Sequence, residues 1–170
     1  MRIKLAVAAI AAAILAVGGV TLASAHSNGS SDSHGGKVIK LFAVTVQTEH
    51  IDLGAQGFSL GDEDVFSNDL FTKKDGTKVG FDGVVCTVVR VTDAKVPSGT
   101  EQCLVTASLP GGQITAQGLF TFTDQPPAPF QIAITGGTGA YKNARGQVTI
   151  ELLSETEANY TLEVLTDNDD

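Results

Sequence analysis

Basic residues are scarce in this sequence, which has 11 Lys and Arg against 19 Asp and Glu and a formal net charge of −8. Nucleic acids and anionic membrane surfaces both attract clustered Lys and Arg, so the acidic balance argues against either as a partner. The excess of negative charge is instead typical of a protein that has to stay soluble outside the cell.

Long apolar runs are also missing, apart from one at the N-terminus. Arg2 and Lys4 precede an almost unbroken apolar run from Leu5 to Val20, and small residues follow up to Ala25. This pattern predicts a signal peptide over residues 1–25 of bacterial, Ala-rich type, cleaved after Ala25. The run is shorter than the roughly 20 residues that a spanning helix needs. We therefore expect a secreted or cell-envelope protein with no membrane contact after cleavage.

The predicted mature chain has the size of one domain. Cleavage would leave 145 of the 170 residues and, by removing Arg2 and Lys4, would change the charge from −8 to −10. Residues 26–36 read HSNGSSDSHGG, a polar stretch that predicts a disordered leader. Residues 37–170 are then a single domain, long enough to build a core.

Cysteine is limited to Cys86 and Cys103. An even pair in an exported chain favours a disulfide over a metal site or a nucleophilic thiol. If these residues face each other in a hairpin, Thr87 lies opposite Gln102 and Val89 opposite Thr100, with the turn near 94–95. Such a bridge is expected to contribute about 3 kcal/mol in the chain-entropy model.

Amphipathic helix patterns are absent, and short runs rich in Val, Ile, Thr and Phe take their place. Each run is bounded by Gly, Pro, Asp or Asn, and several alternate between apolar and polar residues. About eight strands follow, which indicates a sandwich or a closed barrel without exposed edges. The predicted strands are 38–48, 65–71, 77–92, 103–109, 113–123, 130–135, 148–152 and 160–164. The pattern does not decide which strand face points inward.

Four blocks of the sequence resemble allene oxide cyclase and dirigent proteins, in the same order and over most of residues 61–153. They read GDEDVFSNDLF, KVGFDGVVCTVV, GGQITAQGLFTF and AITGGTGAYKNARGQVTIELL. The resemblance implies an all-β fold, a single eight-stranded antiparallel barrel with a mostly apolar cavity, and a possible homotrimer. It also implies a small apolar ligand whose cyclisation or coupling the barrel steers by position.

Family residues carry over only in part. Asn68 matches an Asn that helps the cyclases bind an epoxide oxygen, and Cys86 matches a cysteine lining their pocket. The first-strand Glu of the cyclases has no counterpart, and Phe120 stands where they have Tyr. Arg145 matches the Arg of the dirigent glycine-rich block, but the acids of that branch are missing. No activity is therefore transferred from the resemblance, and no catalytic residue is assigned.

These residues lead to a ligand-binding hypothesis. Asn68 and Arg145 would supply polar contacts, and Phe120 and Phe122 would line the wall. Arg90 shares a strand face with Val84, Cys86 and Val88 and could orient an anionic or carbonyl ligand, although surface display is equally compatible with its position. The predicted inward positions offer almost no titratable group, so a non-catalytic carrier and a solid structural barrel of the cell envelope remain the alternatives.

Metal or cofactor binding is not expected. His26, His34 and His50 are the only histidines, and two of them lie in the predicted leader. The glycines at 136–139 lack the Lys and the following helix of a phosphate-binding loop, so they predict a tight turn into a strand.

Overall fold

The computed structural model describes residues 36–93, 95 and 98–165, and in these ranges the chain is almost entirely β-strand. Its strands are β1 (Lys37–Ile51), β2 (Glu63–Phe71), β3 (Lys78–Asp93), β4 (Ser98–Leu109), β5 (Gly112–Phe122), β6 (Phe130–Gly137), β7 (Arg145–Leu152) and β8 (Glu157–Leu165). One 3-10 turn, Gly139–Tyr141, lies between β6 and β7. The predicted all-β class and strand number are confirmed.

The eight strands close into one antiparallel barrel. Each strand pairs with the next along the chain, and β8 pairs with β1. Closure gives every strand two partners, so the barrel leaves no open edge. The barrel belongs to a compact unit, Ser33–Asp170, whereas the predicted signal peptide and residues 26–35 of the leader lie outside the described residues. Within the described ranges, no helix has the length and apolar character needed to cross a membrane.

The hairpin of β3 and β4 contains the predicted disulfide. Cys86 lies opposite Cys103, and the two sulfurs are bonded at 2.03 Å. The predicted pairing of Val89 with Thr100 is wrong, because a bulge after Val88 brings Arg90 opposite Thr100 instead. An extra residue interrupts the two-residue period of side-chain direction. Val88, before the bulge, is buried. Arg90, after the bulge, is exposed and does not lie on the inner face that the alternation predicts for it.

Alternation along the other strands separates a packed end of the barrel from a hollow one. On β5, for example, Ile114 and Ala116 are buried while their neighbours Gln113 and Gln117 are exposed. The packed end is a continuous cluster of buried apolar side chains that includes Leu41, Leu70, Ile114, Ile134, Val148, Leu162 and Val164. Tyr141 of the 3-10 turn belongs to the same cluster and donates a hydrogen bond to the carbonyl oxygen of Pro110 at 3.2 Å.

The glycine-rich block forms the connection at the packed end. It runs through the 3-10 turn into β7, where Gly146 has a φ of 131°. A Cβ atom there would collide with the carbonyl oxygen of Glu163 on β8. Only glycine combines this φ with so close a strand contact. The predicted turn into a strand is present, but it begins only after Gly137, because Gly136 and Gly137 still belong to β6.

Candidate functional site

A cavity of about 450 Å³ occupies the other end of the barrel. Its volume is within the range of roughly 300–1,000 Å³ found for pockets that bind small molecules. The loop between β7 and β8 borders the cavity with Ser154, Glu155 and Thr156. Most of the wall is apolar and consists of Ala43, Phe66, Val84, Cys86, Cys103, Val105, Phe120, Phe130, Ile132, Ile150, Leu152 and Ala158.

Aromatic rings form one side of this wall. Phe120 of β5 and Phe130 of β6 lie 4.6 Å apart between ring centroids, with their planes inclined at 35°. Phe122 stacks behind Phe120 at 6.1 Å and contacts Phe58 edge to face at 5.5 Å. Phe122 does not line the cavity itself, but it packs against Phe120, which does. Such a wall suits a flat, conjugated ligand.

A hydrogen-bonded polar group lies where the cavity meets the packed core. Asn68 of β2 is buried, and its amide donates to Asp82 Oδ1 at 2.8 Å and to the Tyr160 hydroxyl at 3.2 Å. Thr45 Oγ1 donates to Asn68 Oδ1 at 2.7 Å. Both amide hydrogens of Asn68 are thus engaged within the protein. The Tyr160 hydroxyl borders the cavity beside it and has its own hydrogen available for a ligand or for Asp82.

Asp82 is a fully buried carboxyl group with one unsatisfied oxygen. Its backbone and side-chain partner is Asn68, and its Oδ2 atom has no hydrogen-bond partner. Burial raises the pKa of Asp82 to about 6, although the hydrogen bonds from Asn68 and from the Tyr160 hydroxyl act in the opposite direction. The pKa of Tyr160 is also raised, mainly by burial and further by the negative charge of Asp82. Asp82 therefore changes its protonation state within a mildly acidic range.

A pair of carboxyl groups lies near the open end of the cavity. Glu101 of β4 is only 6% exposed and lines the cavity beside Asp64 of β2. Burial, together with the neighbouring Asp64, raises the pKa of Glu101 to about 7. His50 of β1 holds Asp64 through Nδ1 and Oδ1 at 2.8 Å, and this hydrogen bond raises the pKa of His50. Glu101 can consequently give or accept a proton near neutral pH.

The expectation that the interior would offer almost no titratable group is wrong. Asp64, Asp82, Glu101 and Tyr160 all face inward, and their pattern was present in the sequence. Glu101 lies two residues before Cys103, and Asp82 lies four residues before Cys86, so each shares a strand face with a cysteine of the disulfide. If the cysteines had been known to point inward, both carboxyl groups would have been recognised as inward-facing too. The sequence did not reveal which face of each strand points inward.

The residues predicted to bind a ligand are divided between the cavity and the surface. Asn68 and Phe120 line the cavity, whereas Arg90 and Arg145 are exposed outside its wall. Arg145 is the first residue of β7, opposite Leu165. The binding roles of these residues stay predictions. The structure brings only Asn68 and Phe120 together at the cavity.

The disulfide forms part of the wall next to Glu101. The sulfurs of Cys86 and Cys103 and the carboxylate of Glu101 lie within 4.8 Å of one another, a spacing that a metal ion could bridge. Thiolates are the form of cysteine that binds metals, and both sulfurs are here joined in a disulfide. In this oxidised state, the cluster supplies a single metal ligand.

Comparisons with known proteins agree on one family. The sequence profile of the allene oxide cyclase barrel like domain matches residues 42–165. A solved pyocyanin demethylase is 35% identical and has a TM-score of 0.64, with 75% of this chain and 99% of that chain covered. No curated protein sequence matches this chain significantly.

More distant structures share the fold alone. A pterocarpan synthase dirigent protein is 16% identical with a TM-score of 0.60, covering 76% of this chain and 94% of its own. A Diels–Alderase from Streptomyces koyangensis is 11% identical with a TM-score of 0.61, covering 80% of this chain and 72% of its own.

Proposed function

This chain belongs to the allene oxide cyclase barrel-like family, which is related to cyclases and dirigent proteins, and we propose that its cavity binds and transforms one flat, conjugated small molecule. The observation that carries the proposal is Glu101, a buried carboxyl group with a pKa of about 7 in a mostly apolar wall. Perturbed acids in a cavity are characteristic of catalytic sites, because proton transfer is most efficient near the operating pH.

The ligand class follows from the wall and from the pyocyanin demethylase that is 35% identical to this chain. Phe66, Phe120 and Phe130 give this wall an aromatic surface against which a planar molecule can pack. The related demethylase acts on pyocyanin, a phenazine, and phenazines are flat tricyclic rings. We propose a phenazine or a ring system of similar shape, held between the aromatic side and the carboxyl side of the cavity. Proximity and orientation then do much of the work.

Each polar group has a separate role in this proposal. Glu101 transfers a proton to or from the bound ring, and Asp64 with His50 sets its protonation. Tyr160 donates a hydrogen bond to a ring heteroatom or carbonyl oxygen, and Asn68 orients Tyr160. Asp82 in turn fixes the amide of Asn68.

The test is binding and turnover of pyocyanin by the mature protein with its disulfide intact. Ligand binding is followed by absorbance titration, and demethylated product is measured by liquid chromatography with mass spectrometry. Glu101→Gln should bind pyocyanin yet lose about 100-fold or more in turnover, the usual contribution of a positioned acid or base. Glu63→Gln, an identical charge change one residue from Asp64, is the control. Full activity in Glu101→Gln would refute the assigned role.

Ring closure or radical coupling is a second candidate, because the packed core closes one end of the cavity and limits the conformations of a bound chain. Turnover of an epoxide or quinone methide faster than in buffer, without turnover of pyocyanin, would support it. Tight binding with no turnover of any of these compounds would support a carrier instead. The cavity itself argues against a solid structural barrel.

We also propose that the protein acts outside the cytoplasm as a homotrimer. The disulfide supports an oxidising location. An outer row of apolar side chains supports association: Val65, Val85 and Leu104 lie side by side on β2, β3 and β4, and the last two are 37% and 53% exposed. Native mass spectrometry of protein recovered from the medium would give the oligomer mass and test for the new N-terminus at His26.

A further inference from the structure

The side chains around the cavity carry an excess of negative charge. Four of the described lining residues are acidic and none is Lys or Arg. Lys74, outside the wall, pairs with Glu157 at 2.8 Å, and His50 contacts Asp64 at the same distance. The other two acids, Glu101 and Glu155, form no salt bridge with any described residue. The cavity therefore remains acidic after these neighbours are counted.

An independent observation at the bottom of the cavity agrees with this excess. Asp82 is fully buried, its Oδ2 atom has no hydrogen-bond partner, and the residue borders a void of about 30 Å³. Tyr160 and Ile150 belong to the walls of both the void and the main cavity. A buried carboxylate is costly unless a donor or a positive charge reaches it. A second acid is thus held without full compensation next to the ligand space.

The aromatic side of the cavity adds no positive charge that would offset these acids. Phe66, Phe120 and Phe130 line it, and aromatic rings tolerate a neighbouring cation well. A ligand in this space therefore meets carboxyl groups on one side and uncharged rings on the other. An anionic ligand would be repelled by the carboxyl groups.

Building on the proposed function, we infer that the ligand carries a positive charge on its ring system, as an N-alkylated heteroaromatic cation does, and that Glu101 with Asp64 holds this charge. Glu101 is the suitable partner because it lies within the wall, whereas Glu155 is exposed in the loop. The titratable groups that act on Glu101 are Asp64 from β2 and His50 from β1. Binding of a cation would favour the ionised form of Glu101 and release its proton.

The experiment compares three ligands that share one ring: N-methylphenazinium as the cation, phenazine as the neutral compound and phenazine-1-carboxylate as the anion. Each is titrated into the mature protein at pH 7, in the dark, by isothermal titration calorimetry. Two buffers of different ionisation enthalpy report the protons released. The same titrations are made with Glu101→Gln and with Glu63→Gln, which removes an equal charge from the outer face of β2.

We expect the cation to bind at least about tenfold more tightly than phenazine, with proton release, and the anion to bind most weakly. Glu101→Gln should abolish the preference and the proton release, and Glu63→Gln should retain both. Equal affinity for cation and neutral ring, or tighter binding of the anion, would overturn the inference while leaving ring binding intact. Binding of none of the three would overturn the proposed function together with the inference.

Discussion

Replacing Asp82 by Asn should stabilise the barrel at neutral pH and leave it unchanged in acid. The pKa of Asp82 is raised from 3.8 to about 6 by burial. A raised carboxyl pKa means that the folded state binds the proton more tightly than the unfolded state does. Wild-type stability is therefore complete below about pH 4, falls as pH rises from about 4 to 6, and stays reduced above that range. The Asn variant has no charge to bury and avoids this loss.

The expected gain follows from the size of the shift. About two pKa units at 1.36 kcal/mol each give about 3 kcal/mol at pH 7. An Asn side chain retains the Oδ1 acceptor for Asn68, and its new amide replaces the oxygen that has no partner. The contribution of Glu101 to the pH dependence is present in both proteins and cancels in the comparison.

Urea unfolding between pH 4 and 8 measures this difference. Far-UV circular dichroism is the suitable signal because the sequence contains no Trp. Asp75→Asn is the control, since it removes one carboxyl from an exposed turn where the φ of 57° suits Asn as well as Asp. A difference between Asp82→Asn and wild type that is the same at pH 4 and pH 7 would refute the reasoning.

Three further substitutions test other parts of the barrel by urea unfolding at pH 7. Cys86→Ser with Cys103→Ser should cost about 3 kcal/mol, because it opens a closed loop with a sequence separation of 17; an unchanged midpoint would contradict this. Asn68→Ala should cost about 1–3 kcal/mol by leaving the Asp82 carboxyl without its donor, and should raise the pKa of Asp82 further so that the loss of stability continues above pH 6; a pH profile parallel to that of wild type would be evidence against that role. Gly146→Ala should cost about 1–3 kcal/mol or more in backbone strain. Gly83→Ala is the control and should be nearly neutral, because a Cβ atom there meets open space. Equal effects of the two substitutions would reject the argument.

The barrel was predictable from local sequence patterns because its connections are short and its alternation is regular. The period of two on β5 and the cysteines on β3 and β4 were enough to predict a hairpin and its register at Thr87. The register failed only beyond Val88, where a bulge adds one residue. A bulge depends on the path of neighbouring strands around the barrel, so alternation in one strand does not reveal it.

The site was less predictable because it depends on which face of each strand points inward. Asn68 and Phe120 were found through resemblance, but the carboxyl groups were not. The buried apolar core could have occupied either face, since Val85 and Leu104 show that apolar residues also lie outside. The curvature of the closed sheet determines which face points inward. It also brings Glu101 of β4 beside Asp64 of β2, two strands away.

The cost of the two buried carboxyl groups is itself an argument for function. At neutral pH, the shift of Asp82 corresponds to about 3 kcal/mol, a large share of the roughly 5–15 kcal/mol by which domains are stable, and the raised pKa of Glu101 acts in the same direction. An amide at either position would avoid most of this loss at little structural expense. The packed end and the disulfide compensate for it, and neither requires an acid in the cavity. Glu101 faces the large cavity of the described barrel, and Asp82 borders the small void next to it, so the instability is concentrated where a ligand could use it. A ligand that supplies positive charge there would recover part of the cost on binding, which links the stability of this fold directly to the occupancy of its cavity.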